Sequence, residues 1–256
     1  MPKLSVITPV YNSVQFIELC IQNVIAQKCP DVEHIIMDGG STDGTLDIVL
    51  KYTEKYPHIR WVSEKDKGQS DAMNKGIKMA KSEVISFLNV DDLYYPFTLN
   101  RIISIFDRNR DLKFITGNCK LFDINGNLLY FNKPQRVRYY HLFSYSEPFP
   151  INPAAYFYKK SIHDVAGYYT TENHYTMDYE FILKASLYTN IVYFDEDWGG
   201  AIHHENSKTL QETESNQLFK RKWETFEKLY STVPLKVKLL SKLYKGYKLI
   251  KNIFNG

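Results

Sequence analysis

Short apolar runs alternate with longer segments of helical periodicity through the first hundred positions. Leu4–Val10 predicts a β-strand, and Asn12 with Gln15 three residues later predicts the start of a helix running to about Gln27. A strand at Glu33–Met37, a helix over roughly Thr45–Tyr56 and a strand at Ile59–Ser63 follow. Gln69–Lys81 places Met73, Ile77 and Ala80 at i, i+4 and i+7, one face of a helix. Val84–Leu88 has the unbroken apolar character of a buried strand, and Pro96 opens the next helix. Such alternation predicts an α/β fold with a mostly parallel central sheet flanked by helices.

The second half is less regular. Lys113–Phe122 and Leu128–Phe131 flank Asn125-Gly126, the signature of a hairpin turn. An aromatic-rich loop is expected from Tyr139 to Tyr158, then a helix over Asp178–Tyr188 and a strand at Ile191–Phe194. On a helical wheel of the last stretch, Leu239, Leu240, Leu243, Tyr247, Ile250 and Phe254 fall on one side. Lys238, Lys242 and Lys245 fall on the other, with Lys248 near the edge. That pattern predicts a helix lying on an anionic membrane surface, with a docking or oligomerisation helix on the body as the rival reading; Gly246 weakens either.

Composition sharpens this picture. The chain has 256 residues, 44% apolar and 24% charged, as an ordinary globular protein does. Its formal charge of +3 conceals an asymmetry, because residues 231–256 carry six lysines and no acid, which leaves the rest at −3. An acidic body argues against nucleic-acid binding. Cys20, Cys29 and Cys119 have no metal or disulfide spacing and suit a reducing cytoplasm. Neither a signal peptide nor a run of ~18 to 20 apolar residues is legible. The expected location is cytoplasmic, peripheral on the inner face of the cytoplasmic membrane if the tail binds there.

In open α/β sheets ligands bind beyond the carboxyl ends of the strands. Those ends read Pro9-Val10-Tyr11-Asn12, Asp38-Gly39-Gly40-Ser41-Thr42-Asp43, Glu64-Lys65-Asp66-Lys67-Gly68 and Asn89-Val90-Asp91-Asp92. Three of the four carry carboxylates, which repel one another unless a cation joins them; a divalent ion with a diphosphate does this. Each segment alone also reads as a turn or helix cap, and Asp71 with Lys75 as an i, i+4 ion pair. No G-x-G-x-x-G follows the first strand and no P-loop occurs anywhere, which excludes the common dinucleotide and nucleoside-triphosphate cradles.

Leu4-Ser-Val-Ile-Thr-Pro-Val-Tyr-Asn12, Ile36-Met-Asp-Gly-Gly-Ser-Thr-Asp-Gly-Thr45 and Phe87-Leu-Asn-Val-Asp-Asp92 together resemble the signature of the GT-A family 2 glycosyltransferases. Ser63-Glu-Lys-Asp-Lys-Gly-Gln-Ser-Asp-Ala-Met-Asn-Lys-Gly76 is similar to the form in bacterial envelope-polysaccharide enzymes. Ile151-Asn-Pro-Ala-Ala-Tyr-Phe-Tyr-Lys-Lys160 resembles the family's post-hairpin strand, Thr176-Met-Asp-Tyr-Glu-Phe181 its acceptor-side helix, and His203-His-Glu-Asn-Ser-Lys-Thr209 its C-terminal His loop.

The resemblance implies a Rossmann-like GT-A domain over residues 1–210, divided into a nucleotide-sugar half (1–110) and an acceptor half (111–210). Residues 211–256 then form a helical extension, basic and amphipathic from about 232. It implies that Pro9, Tyr11, Asp38, Asp66, Gly68 and Asp91 bind the donor, a UDP-sugar by expectation. Asp92, Asp91 and His204 (with His203 the alternative to His204) would hold Mn2+ or Mg2+, Asp92 most directly, and Asp178 would be the catalytic base of an inverting transfer to a glycan or lipid-linked hydroxyl in surface-polysaccharide synthesis. Two departures stand out. Met73 occupies a position where many members have Arg, leaving Lys65, Lys67 or Lys75 to meet a phosphate, and Asn89 occupies a position where a third Asp is common. The rival readings are a sugar nucleotidyltransferase and a non-catalytic nucleotide- or glycan-binding module.

Overall fold

The computed structural model describes residues 1–204 and 217–255, the last three by backbone alone. The chain begins as expected with β1 (Leu4–Val10), α1 (Ile17–Ala26), β2 (Val32–Asp38), α2 (Thr45–Thr53), β3 (Ile59–Ser63), α3 (Gln69–Met79) and β4 (Val84–Phe87). These four strands are parallel, in the order β3–β2–β1–β4. All seven residues of β1 and of β2 are buried, because helices cover both faces. The chain leaves β1 toward β2 and β3 on one side and returns to β4 on the other. The switch point between β1 and β4 opens a crevice at their carboxyl ends.

Beyond β4 the sheet becomes mixed. After β5 (Asp92–Tyr94) and α4 (Thr98–Arg108) come β6 (Phe114–Asp123) and β7 (Leu128–Asn132), the expected hairpin. The next elements are α5 (Tyr139–Leu142), β8 (Tyr156–Lys159), α6 (His163–Ala166), α7 (Met177–Tyr188) and β9 (Ile191–His203). The full order is β3–β2–β1–β4–β8–β6–β9–β5, with β7 on β6. Two helices close the described chain, α8 (Gln217–Thr232) and α9 (Leu235–Asn255). No helix among the described residues is long and apolar enough to cross a membrane.

Four details differ from the sequence expectation. The helix predicted to start at Asn12 begins at Ile17; the Asn12 side chain instead accepts from the Thr42 amide at 2.9 Å. The aromatic segment 139–158 is not one loop, because fully buried Tyr156, Phe157 and Tyr158 form β8, antiparallel between β4 and β6. Strand β9 runs nine residues past Phe194. Its charged stretch Asp195-Glu196-Asp197 hid the continuation, but each carboxylate has a partner in Lys133, Arg101 or Lys120. Finally, β5 begins at Asp92 itself, so the acidic motif ends inside a strand paired with β9 rather than capping a helix.

The tail docks. Buried Val233 and Val237 join the core, and the Tyr244 hydroxyl donates to Glu147 at 2.5 Å. Lys248 pairs with the same carboxylate at 2.8 Å, which places it on the docked face and not at the edge of a free lysine face. Leu235, Leu239, Leu243, Tyr247 and Ile250 remain exposed. The Phe254 side chain, the segment Glu205–Thr209 and the expected boundary at 210 lie outside the described residues.

Candidate active site

The loops at the carboxyl ends of β1 and β2 are bound to each other. The Asn12 amide donates to Ser41 Oγ at 2.8 Å, Ser13 N to Thr45 Oγ1 at 2.8 Å and Val14 N to Asp43 Oδ2 at 3.0 Å. Asn12 lies at φ +46, a left-handed geometry that Asn tolerates, and the turn leaves Tyr11 62% exposed against the cleft. Pro9 also lines the cleft. Asp38 is buried and turned into its own loop, accepting from Ser41 Oγ and Ser63 Oγ, both at 2.5 Å. It shapes the rim from behind.

Asp66 and Gly68 line the cleft opposite. Asp66 crosses so close to Gly39 that a Cβ there would stand 2.7 Å from Oδ2. Gly68 has φ +104, and a Cβ on it would lie 2.8 Å from the His174 ring. His174, which reaches the cleft from the segment between α6 and α7, also pairs with Ser70 Oγ at 3.1 Å.

The acidic motif forms one wall. Asp92 is buried, with Oδ1 accepting from Asn152 Nδ2 at 2.9 Å and Oδ2 from Asn89 Nδ2 at 2.7 Å. Even so, burial, and after it repulsion from Asp91, pushes its carboxyl well above the usual carboxylate range. Asn89 is therefore more than a weakened Asp: its amide donates to Asp92 and its carbonyl accepts from Gln69 at 2.9 Å, a bridge that a carboxylate cannot make. Asp91 is the more open of the pair and meets His204 Nε2 at 3.3 Å, while His204 stacks on Phe16 at 4.7 Å between ring centroids. The neighbouring His203 is held below the ordinary imidazole range by burial.

These groups suit a hard divalent cation. Two adjacent carboxylates repel; among the described residues Asp92 is met by the amides of Asn89 and Asn152 and Asp91 by His204, with no lysine or arginine paired to either. No group of three or more His, Cys, Asp or Glu at metal-holding geometry occurs among the described residues. A cation here would take Asp91 and His204, backed by Asp92, and complete its shell from phosphate oxygens and water, as Mg2+ and Mn2+ commonly do.

Asp178 stands in the first turn of α7 and also lines the cleft. Burial pushes its carboxyl up to about 6, against the effect of the Tyr156 hydroxyl, which donates to Oδ1 at 2.6 Å. Behind Tyr156 the buried hydroxyls of Tyr169 and Tyr158 pair at 3.0 Å, and Tyr158 meets His163 Nε2 at 3.0 Å. Tyr156 orients Asp178, and the other rings fill the core behind it. Desolvation of this kind prepares a carboxylate for proton transfer near neutral pH.

The cleft that unites these walls has a volume of about 1020 Å³, at the upper end of the range for ligand sites. It gathers Pro9, Tyr11, Asp66, Gly68, Asp91, Asp92, His204 and Asp178, and leaves Asp38 behind the rim. Sequence reading missed Asn152, His174, Tyr156 and Lys222. Asn152 had a local signal, an Asn before Pro153 in a quoted motif; the others gain meaning only from contacts across the fold.

A mixed sheet whose parallel half ends in this acid-lined crevice defines a GT-A fold. A family model, Glycosyl transferase family 2, matches residues 5–166, and the chain belongs to that family. An uncharacterized glycosyltransferase of Rickettsia typhi is 32% identical over 203 residues, covering 77% of this chain and 62% of its own. The chondroitin synthase of Escherichia coli is 30% identical over 129 residues, covering 50% of this chain and 19% of its own. The chain thus spans from about a fifth to three fifths of the length of the curated relatives it matches. Among solved structures, S. aureus TarS 1-349 in complex with UDP-GlcNAc aligns with a TM-score of 0.67 at 23% identity over 81% of this chain and 60% of that one. The mannosyltransferase PcManGT of Pyrobaculum calidifontis, in complex with GDP-Man and Mn2+, aligns with a TM-score of 0.60 at 16% identity over 97% and 80%. At these identities the likeness is one of fold.

Proposed function

We propose that the chain is a metal-dependent inverting glycosyltransferase that moves a sugar from a nucleotide-sugar donor to a hydroxyl of a glycan or lipid-linked acceptor. The observation that carries this reading is the pairing of two carboxylate environments in one cleft. Asp91 and Asp92 are adjacent and repelling, while Asp178 is desolvated and raised to about 6 on a separate element. The first suits a cation with a diphosphate, the second a general base. Membership of the family and folds seen with UDP-GlcNAc and with GDP-Man and Mn2+ support the donor class.

In this mechanism Tyr11 and Pro9 flank the nucleobase, with Asp38 fixing the loop that meets it and Asp66 and Gly68 lying along the nucleoside. Asp91 and His204, with Asp92 behind them, would hold a divalent cation, whose chemistry there would be to offset negative charge on the leaving diphosphate. Asp178 takes the proton of the acceptor hydroxyl as that oxygen bonds to the anomeric carbon. The bond from that carbon to the diphosphate oxygen breaks, and attack from the opposite face inverts the configuration. Tyr156 keeps Asp178 oriented throughout.

A donor screen with UDP-, GDP- and dTDP-sugars plus Mn2+, read as hydrolysis or transfer, tests this directly. Turnover unchanged in Asp92→Ala and Asp178→Ala overturns it. Pyrophosphate release from a nucleoside triphosphate would instead establish the nucleotidyltransferase reading.

The exposed side of α9 supports a peripheral location on an anionic membrane. Leu235, Leu239, Leu243 and Ile250 form a stripe, Lys236 and Lys242 flank it, and the helix has no acidic residue. Docking through Tyr244 and Lys248 holds that stripe outward. A surface-polysaccharide role with a lipid-linked acceptor accords with such a location.

A further inference from the structure

A nucleotide-sugar donor brings two phosphates into a cleft whose walls carry Asp43, Asp66, Asp91, Asp92 and Asp178. The diphosphate gains negative charge as the sugar departs, so a single divalent cation leaves part of it uncompensated. The three lysines that the sequence offered for this task do not face the cleft. Lys65 and Lys67 are exposed outside it, and Lys75 is tied to Glu64 at 2.8 Å and to Asp71 at 3.3 Å. Met73, where many family members carry Arg, is fully buried in the core.

One other cation is in place. Among the described residues lining the cleft, Lys222 is the sole Lys or Arg, and it comes from α8, outside the residues that match the family model. Three residues after it, Thr225 Oγ1 meets Thr176 Oγ1 at 3.0 Å, and Thr176 immediately precedes the helix that starts Met177-Asp178. Phe226, four residues on, is buried with Phe143 and Tyr145, and Leu218, four residues back, also lines the cleft. Residues at i−4, i, i+3 and i+4 share one helix face, so Lys222 is directed at the body, on the Asp178 side of the cleft. No hydrogen bond or ion pair to Lys222 is found among the described residues.

We propose that Lys222 is a donor-binding residue that contacts the diphosphate of the nucleotide sugar. The inference rests on the glycosyltransferase reading above. An ammonium held beside a carboxylate-lined cleft without a fixed partner gains one when an anion enters. Burial lowers its pKa in keeping with that, and an incoming phosphate would favour the charged form.

The test is calorimetric binding of UDP and GDP, each with Mn2+, and of uridine and guanosine, to the full chain and to Lys222→Met, Lys222→Gln and Lys222→Arg. For whichever diphosphate binds the parent, affinity should fall on the order of tenfold in the Met and Gln variants and be largely kept in the Arg variant. Affinity for the nucleoside and the melting temperature should not change. Equal diphosphate affinity in parent and Lys222→Met, or equal losses for diphosphate and nucleoside, overturns the assignment of Lys222 alone. Failure of UDP, GDP and, as a third probe, dTDP to bind the parent with Mn2+ overturns the donor reading itself.

Discussion

The Tyr156 hydroxyl donates to Asp178 Oδ1 at 2.6 Å from a ring that is fully buried, and this bond opposes the burial that raises Asp178 to about 6. A base must be ionised to work, so activity should fall as pH drops through about 6. Removing the hydroxyl takes a donor away from the charged form. In Tyr156→Phe the acid limb of the pH–rate profile should therefore move up by about one unit, with kcat at pH 7 falling more than KM changes. An unshifted limb would show that Asp178 is not the group titrating there.

The same desolvation has a stability cost. Asp178 has a folded pKa of about 6 against an ordinary 3.8, so its contribution to stability is present below the ordinary value and is lost as pH rises through about 6. Asp178→Asn avoids burying that charge and keeps an oxygen for Tyr156. It should be more stable than the parent by up to ~3 kcal/mol at pH 8, with the gain vanishing near pH 4, while transfer is abolished. Thermal melts at the two pH values check this.

Asn89 donates to Asp92 and accepts from Gln69, so Asn89→Asp replaces a donor with a charge beside a buried carboxylate. A loss of roughly 2 kcal/mol is expected, partly recovered by Mn2+. Denaturation curves with and without the metal provide the measurement.

Gly68→Ala should suffer twice, from φ +104 and from a Cβ 2.8 Å from the His174 ring. The cost should be about 1 to 3 kcal/mol, with weaker nucleotide binding. Adding His174→Ala relieves the collision but not the backbone strain, so the double variant should recover only part of the stability.

For the tail, Leu239→Ser with Leu243→Ser should reduce sedimentation with anionic vesicles at low salt while leaving the melting temperature within about 1 °C, since both residues are exposed. Lys248→Met breaks the pair with Glu147 and should loosen the helix from the body, read as faster amide exchange in α9. Vesicle binding unaffected by the leucine changes would count against the membrane reading.

Much of this was legible along the chain. The four parallel strands announce themselves because a strand covered on both faces must be apolar throughout, and the carboxylates at their ends lie one residue or a few past each apolar run. Asp91, Asp92, Asp66 and Tyr11 reach the cleft for that local reason. The wall opposite them is different. Strand β9 was cut short by Asp195-Glu196-Asp197, because charge reads as loop until Arg101, Lys120 and Lys133 appear beside it. Asn152 is 60 residues from the carboxylate it donates to, and Lys222 enters from a helix whose own pattern carries no hint of a cleft. The sequence by itself determined the parallel half of the sheet and its acidic rim, since periodicity and strand termini are local properties. Only the tertiary structure decided what compensates that acid and what prepares Asp178, since burial and charge pairing arise between residues that the chain keeps far apart.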